Sequence, residues 1–175
     1  MIRRLSALVV VLLLTASPAL TQTVVIVRHG EKASPNGDPD LSEAGQARAR
    51  ALATALSGAQ VGLVLATPLK RTQQTGRPAA EAQGAAVQII ALDGGVLAHA
   101  ERVADAARKA DKDATVLIVG HSNTVGEIAR ALGDAAPPTV TDCDYDQMTI
   151  ISLGGPKPRV AHARYGAPTQ ACPGS

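Results

Sequence analysis

An arginine beside a histidine at the end of an apolar run is a pair that can handle phosphate. In Arg28-His29-Gly30-Glu31-Lys32, which follows the apolar residues 23–27, the imidazole can attack phosphorus while the guanidinium clamps two phosphate oxygens through paired N–H donors. A second histidine stands in the same kind of place, because residues 116–119 run directly into Gly120-His121-Ser122. Between the two lies Thr67-Pro68-Leu69-Lys70-Arg71-Thr72-Gln73-Gln74-Thr75, which sets Arg71 just past another apolar stretch. Two arginines and two histidines suit a tetrahedral dianion. Phosphoryl transfer spreads charge over three equatorial oxygens, and its catalysis is mostly positioning and electrostatic stabilisation. For attack, His29 must be unprotonated on the reacting nitrogen, so its other nitrogen needs a fixed acceptor for its proton. The sequence does not name that acceptor. Asp93 stands just past a third apolar run.

The elements that must position these residues follow from hydropathy. Residues 23–27, 61–66, 87–91 and 115–119 are continuous apolar runs rather than alternating ones, the pattern of strands buried on both faces. Between them, residues 42–56 place Gly45, Ala49, Leu52, Ala53 and Leu56 on one helical face, with Ser42 able to cap the first turn. Thr67 and Pro68 read as the N-cap and first residue of the next helix. Residues 95–110 carry Val96, Ala100, Val103 and Ala107 on one stripe, and residues 123–132 end at Gly133. His99 falls on the polar side of the third helix and His162 in a terminal hairpin, so both read as surface residues. That hairpin spans residues 147–153 and 159–164 around Gly154-Gly155-Pro156-Lys157-Pro158. The predicted fold is α/β: a three-layer α/β/α sandwich with a mainly parallel sheet and a C-terminal hairpin or antiparallel edge strand. In such a sheet ligands bind beyond the C-terminal strand ends. Four successive strands deliver Arg28 with His29, Arg71, Asp93 and His121 to that edge, which predicts a single pocket. Glu31 and Asn123 read equally as pocket linings or loop caps, and residues 34–40 as a surface loop near His29.

The three segments together resemble the histidine phosphatase superfamily, the group that includes the phosphoglycerate mutases, over about residues 23–132. The resemblance implies that His29 is the nucleophile of a phosphohistidine intermediate, that Arg28, Arg71 and His121 hold the phosphate, and that neither metal nor cofactor takes part. It implies a hydrolase acting on phosphate monoesters or on phosphoryl groups of proteins, with envelope sugar phosphates among the substrates of small exported members. Many members carry an acid in a Leu-Asn-Glu or similar segment after the third strand. Here Ala91-Leu92-Asp93-Gly94-Gly95 has glycine in that place, so Asp93 would serve one position early as the acid for the leaving oxygen, or else simply starts the next helix, with Glu101 and Glu31 as weaker candidates. Asn36 is offset from the phosphate-contacting asparagine of the mutases, and the missing acid speaks against mutase activity. Two further readings stay open. One is a family member that binds an anion without turnover. The other is a serine esterase in which Gly120-His121-Ser122-Asn123-Thr124 forms a nucleophile elbow served by Asp142 and His162, although Thr124 replaces the last glycine and Arg28 and His29 stay idle.

Composition bounds the rest. A chain of 175 residues with 46% apolar content builds one domain. Two Tyr and no Phe or Trp leave little with which to stack on bases or sugar rings. Residues 1–21 show the basic, apolar and small-residue order of a secretory signal, from Arg3 and Arg4 to Ala19, and the apolar stretch is shorter than the ~20 residues of a spanning helix. The expectation is a periplasmic or secreted domain over residues 22–175, with no stable membrane association. Two of the 17 Lys and Arg leave with the signal, matching the 15 Asp and Glu, so nothing global attracts nucleic acid. In an exported protein, Cys143 and Cys172 are a candidate disulfide, for which chain entropy gives roughly 3–4 kcal/mol. The four His and two Cys show no usual metal-ligand spacing.

Overall fold

The computed structural model describes residues 21–169. The expected signal, apart from Thr21, and Cys172 lie outside the described residues. The chain runs β1 (Gln22–Arg28), α1 (Glu43–Ala55), β2 (Val61–Ala66), α2 (Lys70–Gln83), β3 (Ala86–Ile89), α3 (Gly95–Lys109), β4 (Thr115–Gly120), α4 (Val125–Ala131), β5 (Gln147–Leu153) and β6 (Arg159–Arg164). The strands form one sheet in the order β3-β2-β4-β1-β5-β6. The first four strands are parallel, and β5 and β6 complete it as an antiparallel hairpin beside β1. The α/β fold predicted above is the one observed.

The central strands are apolar throughout because both of their faces are covered. Val24, Ile26, Val116 and Ile118 pack with Ala100, Val103 and Ala107 of α3 and Ile128 of α4. Their neighbours Val25, Val27, Leu117 and Val119 pack with Leu52 and Leu56 at α1 and with Ala79 and Ala80 of α2. β3 departs from the expected pattern. It is an edge strand, with Val87 and Ile89 52% and 44% exposed.

Two helix starts also differ from expectation. Leu69, not Thr67, precedes α2, which begins at Lys70. Asp38, from the loop after β1, accepts from the first amide, Lys70 N–H, at 3.0 Å. The Thr67 hydroxyl is used elsewhere, 2.9 Å from Thr72 Oγ1 and 3.1 Å from His121 Nε2. α4 begins at Val125 rather than at residue 123, because the carbonyl of His121 takes both the Thr124 and Val125 amides in a tight turn. α1 starts as predicted, with Ser42 Oγ accepting from Gly45 N–H at 3.1 Å.

Candidate active site

Parallel pairing of β1 with β4 makes Arg28 and Gly120 register partners, so the residues that follow them emerge side by side. His29 N–H donates to Gly120 O at 3.0 Å, and the rings of His29 and His121 meet edge to face with centroids 5.3 Å apart. His29 Nδ1 lies 2.7 Å from the carbonyl oxygen of Gly30. A carbonyl only accepts, so Nδ1 carries the proton and Nε2 keeps its lone pair. This is the acceptor that the sequence could not name. Burial pushes the His29 pKa down to about 4, opposed by the Gly30 hydrogen bond and assisted by Arg28, Arg71 and Lys32. His121 is lowered to about 3, first by burial and then by His29, Arg71, His99 and Arg28. Both imidazoles are therefore neutral at neutral pH.

The two arginines are held from behind. Arg28 donates through Nη1 to Thr141 O at 2.7 Å and Asp144 O at 3.2 Å, lies over the Tyr145 ring at 4.1 Å and faces Asp142 at 3.5 Å. Arg71 faces Asp38 at 3.6 Å. Each also buries an Nε–H that has no hydrogen-bond partner among the described residues. A buried donor left unpaired is costly, and a phosphate oxygen is a partner of suitable charge and geometry for both.

The segment around Arg71 owes its composition to this loop scaffold. Thr75 Oγ1 accepts from Gly30 N–H at 2.8 Å and so ties the His29 loop to α2. Gln74 accepts from Leu41 N–H and donates to Asp40, at 2.8 and 2.7 Å, which fixes the loop over residues 32–41. Thr72 closes the turn with Thr67.

Arg28, His29, Lys32, Arg71, His121 and Asn123 share one cleft of about 390 Å³. Four of the sequence-predicted residues thus converge with Asn123. Asp93 does not line the cleft: its carboxylate is 78% exposed and pairs with Arg102 at 2.7 Å. Glu101 is exposed on α3. Glu31 grips the buried Arg48 at 2.7 Å, and Arg48 in turn donates to Tyr165 O and Ala167 O. The esterase constellation is not assembled. Ser122 donates to Asp142 at 2.8 Å instead of to a histidine, and His162 lies beside Asp134 at 3.5 Å. His99, read above as a surface residue, is 1% exposed and sits in the cleft wall.

Tyr145, Asp38, Arg48 and His99 are contributors that sequence reasoning missed, and Asp142 entered it only as a partner of Ser122 in the esterase reading. Helical spacing carried a signal for two of them, since Arg48 lies in step with Gly45, Ala49 and Leu52, and His99 with Val96, Ala100 and Val103. Asp142 is the only carboxylate in the cleft wall among the described residues. Its neighbour Cys143 lines a second cleft with Glu31, Arg48, Tyr145 and Thr169.

Residues 24–94 match the model of the histidine phosphatase superfamily (branch 1), a stretch that contains Arg28, His29 and Arg71 and ends before His121. Over 84 residues the chain is 38% identical to phosphoserine phosphatase 1 of Hydrogenobacter thermophilus. That match takes in 42% of this chain and 40% of the relative, so the chain spans less than half the length of the curated relative it matches. The protein histidine phosphatase SixA complexed with tungstate superposes with a TM-score of 0.64 at 21% identity, over 81% of this chain and 96% of that one. A mycobacterial glucosyl-3-phosphoglycerate phosphatase gives 0.60 at 17% identity, over 85% and 100%. At these identities the likeness is one of fold.

Proposed function

We propose that this chain is a member of the histidine phosphatase superfamily, whose model matches residues 24–94, and that it is an exported, metal-independent phosphatase that hydrolyses phosphate monoesters or phosphoryl groups carried by proteins. The observation that carries this reading is the pairing of a neutral His29, its Nδ1 proton spent on Gly30 O, with the buried Arg28 and the half-buried Arg71, each with a buried Nε–H that has no partner among the described residues. The dianion enters between Arg28 and Arg71. His29 Nε2 attacks phosphorus, the P–N bond forms as the ester P–O bond breaks, and the leaving oxygen takes a proton. Water then attacks the phosphohistidine, the P–N bond breaks, and inorganic phosphate leaves. The arginines are already oriented, so they neutralise the developing equatorial charge with little reorganisation. His121, neutral and beside Thr67, contributes hydrogen bonding without adding a repulsive charge next to the nucleophile.

The export part of the proposal rests on the order of residue types in residues 1–21. The substrate is a phosphorylated small molecule, an envelope sugar phosphate or a phosphoprotein. The phosphoserine and phosphohistidine phosphatases among the similar proteins support phosphorylated substrates as a class. A panel of phosphate esters and a phosphohistidine peptide, offered to the protein starting at residue 22, tests the activity. Hydrolysis that survives EDTA and is blocked by vanadate is expected. Activity abolished by the chelator and restored by a divalent ion contradicts the mechanism, and vanadate binding without hydrolysis of any substrate identifies an anion-binding protein instead.

A further inference from the structure

We propose that His99 is the proton donor to the leaving group, an assignment that rests on the phosphatase reading above. The turn from β3 to α3 supplies no acid to the cleft. Asp93 points its carboxylate at Arg102, and Gly94 has φ +75°, where an added Cβ would also meet Ala98 Cβ at 3.2 Å, so a side chain at that position is strained. The cleft wall on this side consists of Leu92, Gly95, Val96 and His99, and His99 is its one group able to move a proton.

The ring of His99 is fixed for that task. Nδ1 lies 2.8 Å from Ala91 O, which by the same carbonyl argument places a proton on Nδ1 and turns over any second proton to Nε2. Nε2 has no hydrogen-bond partner among the described residues. Arg102, from the same helix, donates to Ala91 O at 3.1 Å and to Asp93 O at 2.6 Å, locking the turn that the ring leans on. The other charged or titratable groups of the cleft are Arg28, His29, Lys32, Arg71, His121 and Asp142. Asp142 Oδ1 is already engaged by Ser122 and Arg28.

The proton balance closes. As the ester P–O bond breaks, the imidazolium passes its Nε2 proton to the leaving oxygen and becomes neutral, retaining Nδ1–H on Ala91 O. In the second half-reaction neutral Nε2 takes a proton from the attacking water while the P–N bond to His29 breaks, which restores the starting state.

The test compares the wild type with His99→Asn, His99→Gln and Asp142→Asn on glycerol phosphate and p-nitrophenyl phosphate, whose phenolate leaves without protonation. An asparagine amide can still donate to Ala91 O, and thermal melts report whether each variant is folded. His99→Asn is expected to lose roughly 10²- to 10⁴-fold in kcat/KM on glycerol phosphate and less than about 10-fold on the aryl ester, with the basic limb of the glycerol phosphate pH profile removed. Equal losses on both substrates in both His99 variants overturn the assignment, as does a selective loss confined to Asp142→Asn. A wild type that turns over neither ester nor a phosphohistidine peptide overturns the phosphatase reading itself, and the His99 role with it.

Discussion

Gly45 at the start of α1 packs directly against the backbone of Glu31: a Cβ at this position would lie 2.3 Å from Glu31 O and 2.9 Å from Glu31 N. The helix therefore presses on the loop that carries His29, with no room for even a methyl group. Gly45→Ala is expected to displace that loop, at a cost of about 1–3 kcal/mol or more for overpacking. The urea midpoint should fall, and vanadate affinity with it. Unchanged values for both would show that the contact is not a constraint on the site.

Glu31 and Arg48 make the next link. Arg48 is 5% exposed and its partner carboxylate is 2.7 Å away. Truncating Glu31 to alanine leaves a buried guanidinium held only by the Tyr165 and Ala167 carbonyls, a loss that typically costs about 3–5 kcal/mol. Chemical denaturation should show most of that drop. A change within about 0.5 kcal/mol, the range of ordinary surface substitutions, would mean that water replaces the carboxylate.

Much of this architecture was legible in the sequence because it rests on apolar runs. The doubly covered strands β1 and β4 read correctly, and with them the emergence of Arg28, His29 and His121 at one edge. The hairpin of β5 and β6 was equally plain from its Gly-Gly-Pro turn. What escaped was whatever depends on contacts distant in sequence. The edge position of β3 leaves no trace in Val87 or Ile89, which are as apolar as core residues. Thr67 has the residue type of a cap but is claimed by Thr72 and His121 across the cleft. Arg48 and His99 sit at buried helical positions, yet polar side chains at such positions are ordinarily assigned to solvent. Asp142 and Tyr145 lie in a loop whose path no periodicity describes.

The two depressed histidines make stability pH-dependent with a definite sign. Against an ordinary value of 6.5, His29 is held at about 4 and His121 at about 3. Between pH 6.5 and those values the unfolded chain binds more protons than the folded one, so their contribution is complete above about pH 6.5 and is lost as the pH falls towards 3. The urea midpoint should decline through this window. Because carboxylates titrate in the lower part of the same range, the diagnostic is His29→Gln, which should flatten the slope between pH 6.5 and 4. An identical slope in the variant would contradict burial of a neutral His29.

Cys143 lies beside Asp142 in the loop that backs Arg28, and Thr169, three residues before Cys172, lines the same cleft as Cys143. Under the export proposed above, a Cys143–Cys172 disulfide is expected. Peptide mapping without reductant should recover the linked pair, and its reduction should lower the melting temperature. Two free thiols under oxidising conditions would exclude it.

The central claim is that His29 attacks phosphorus, and trapping the intermediate tests it most directly. Protein mixed with 32P-labelled substrate for less than one turnover and quenched in alkali, which preserves phosphohistidine, is digested and the labelled peptide sequenced. Label on His29 through nitrogen, absent from His29→Ala together with the activity, is the predicted result. Label on Ser122, or undiminished turnover by His29→Ala, would contradict the account.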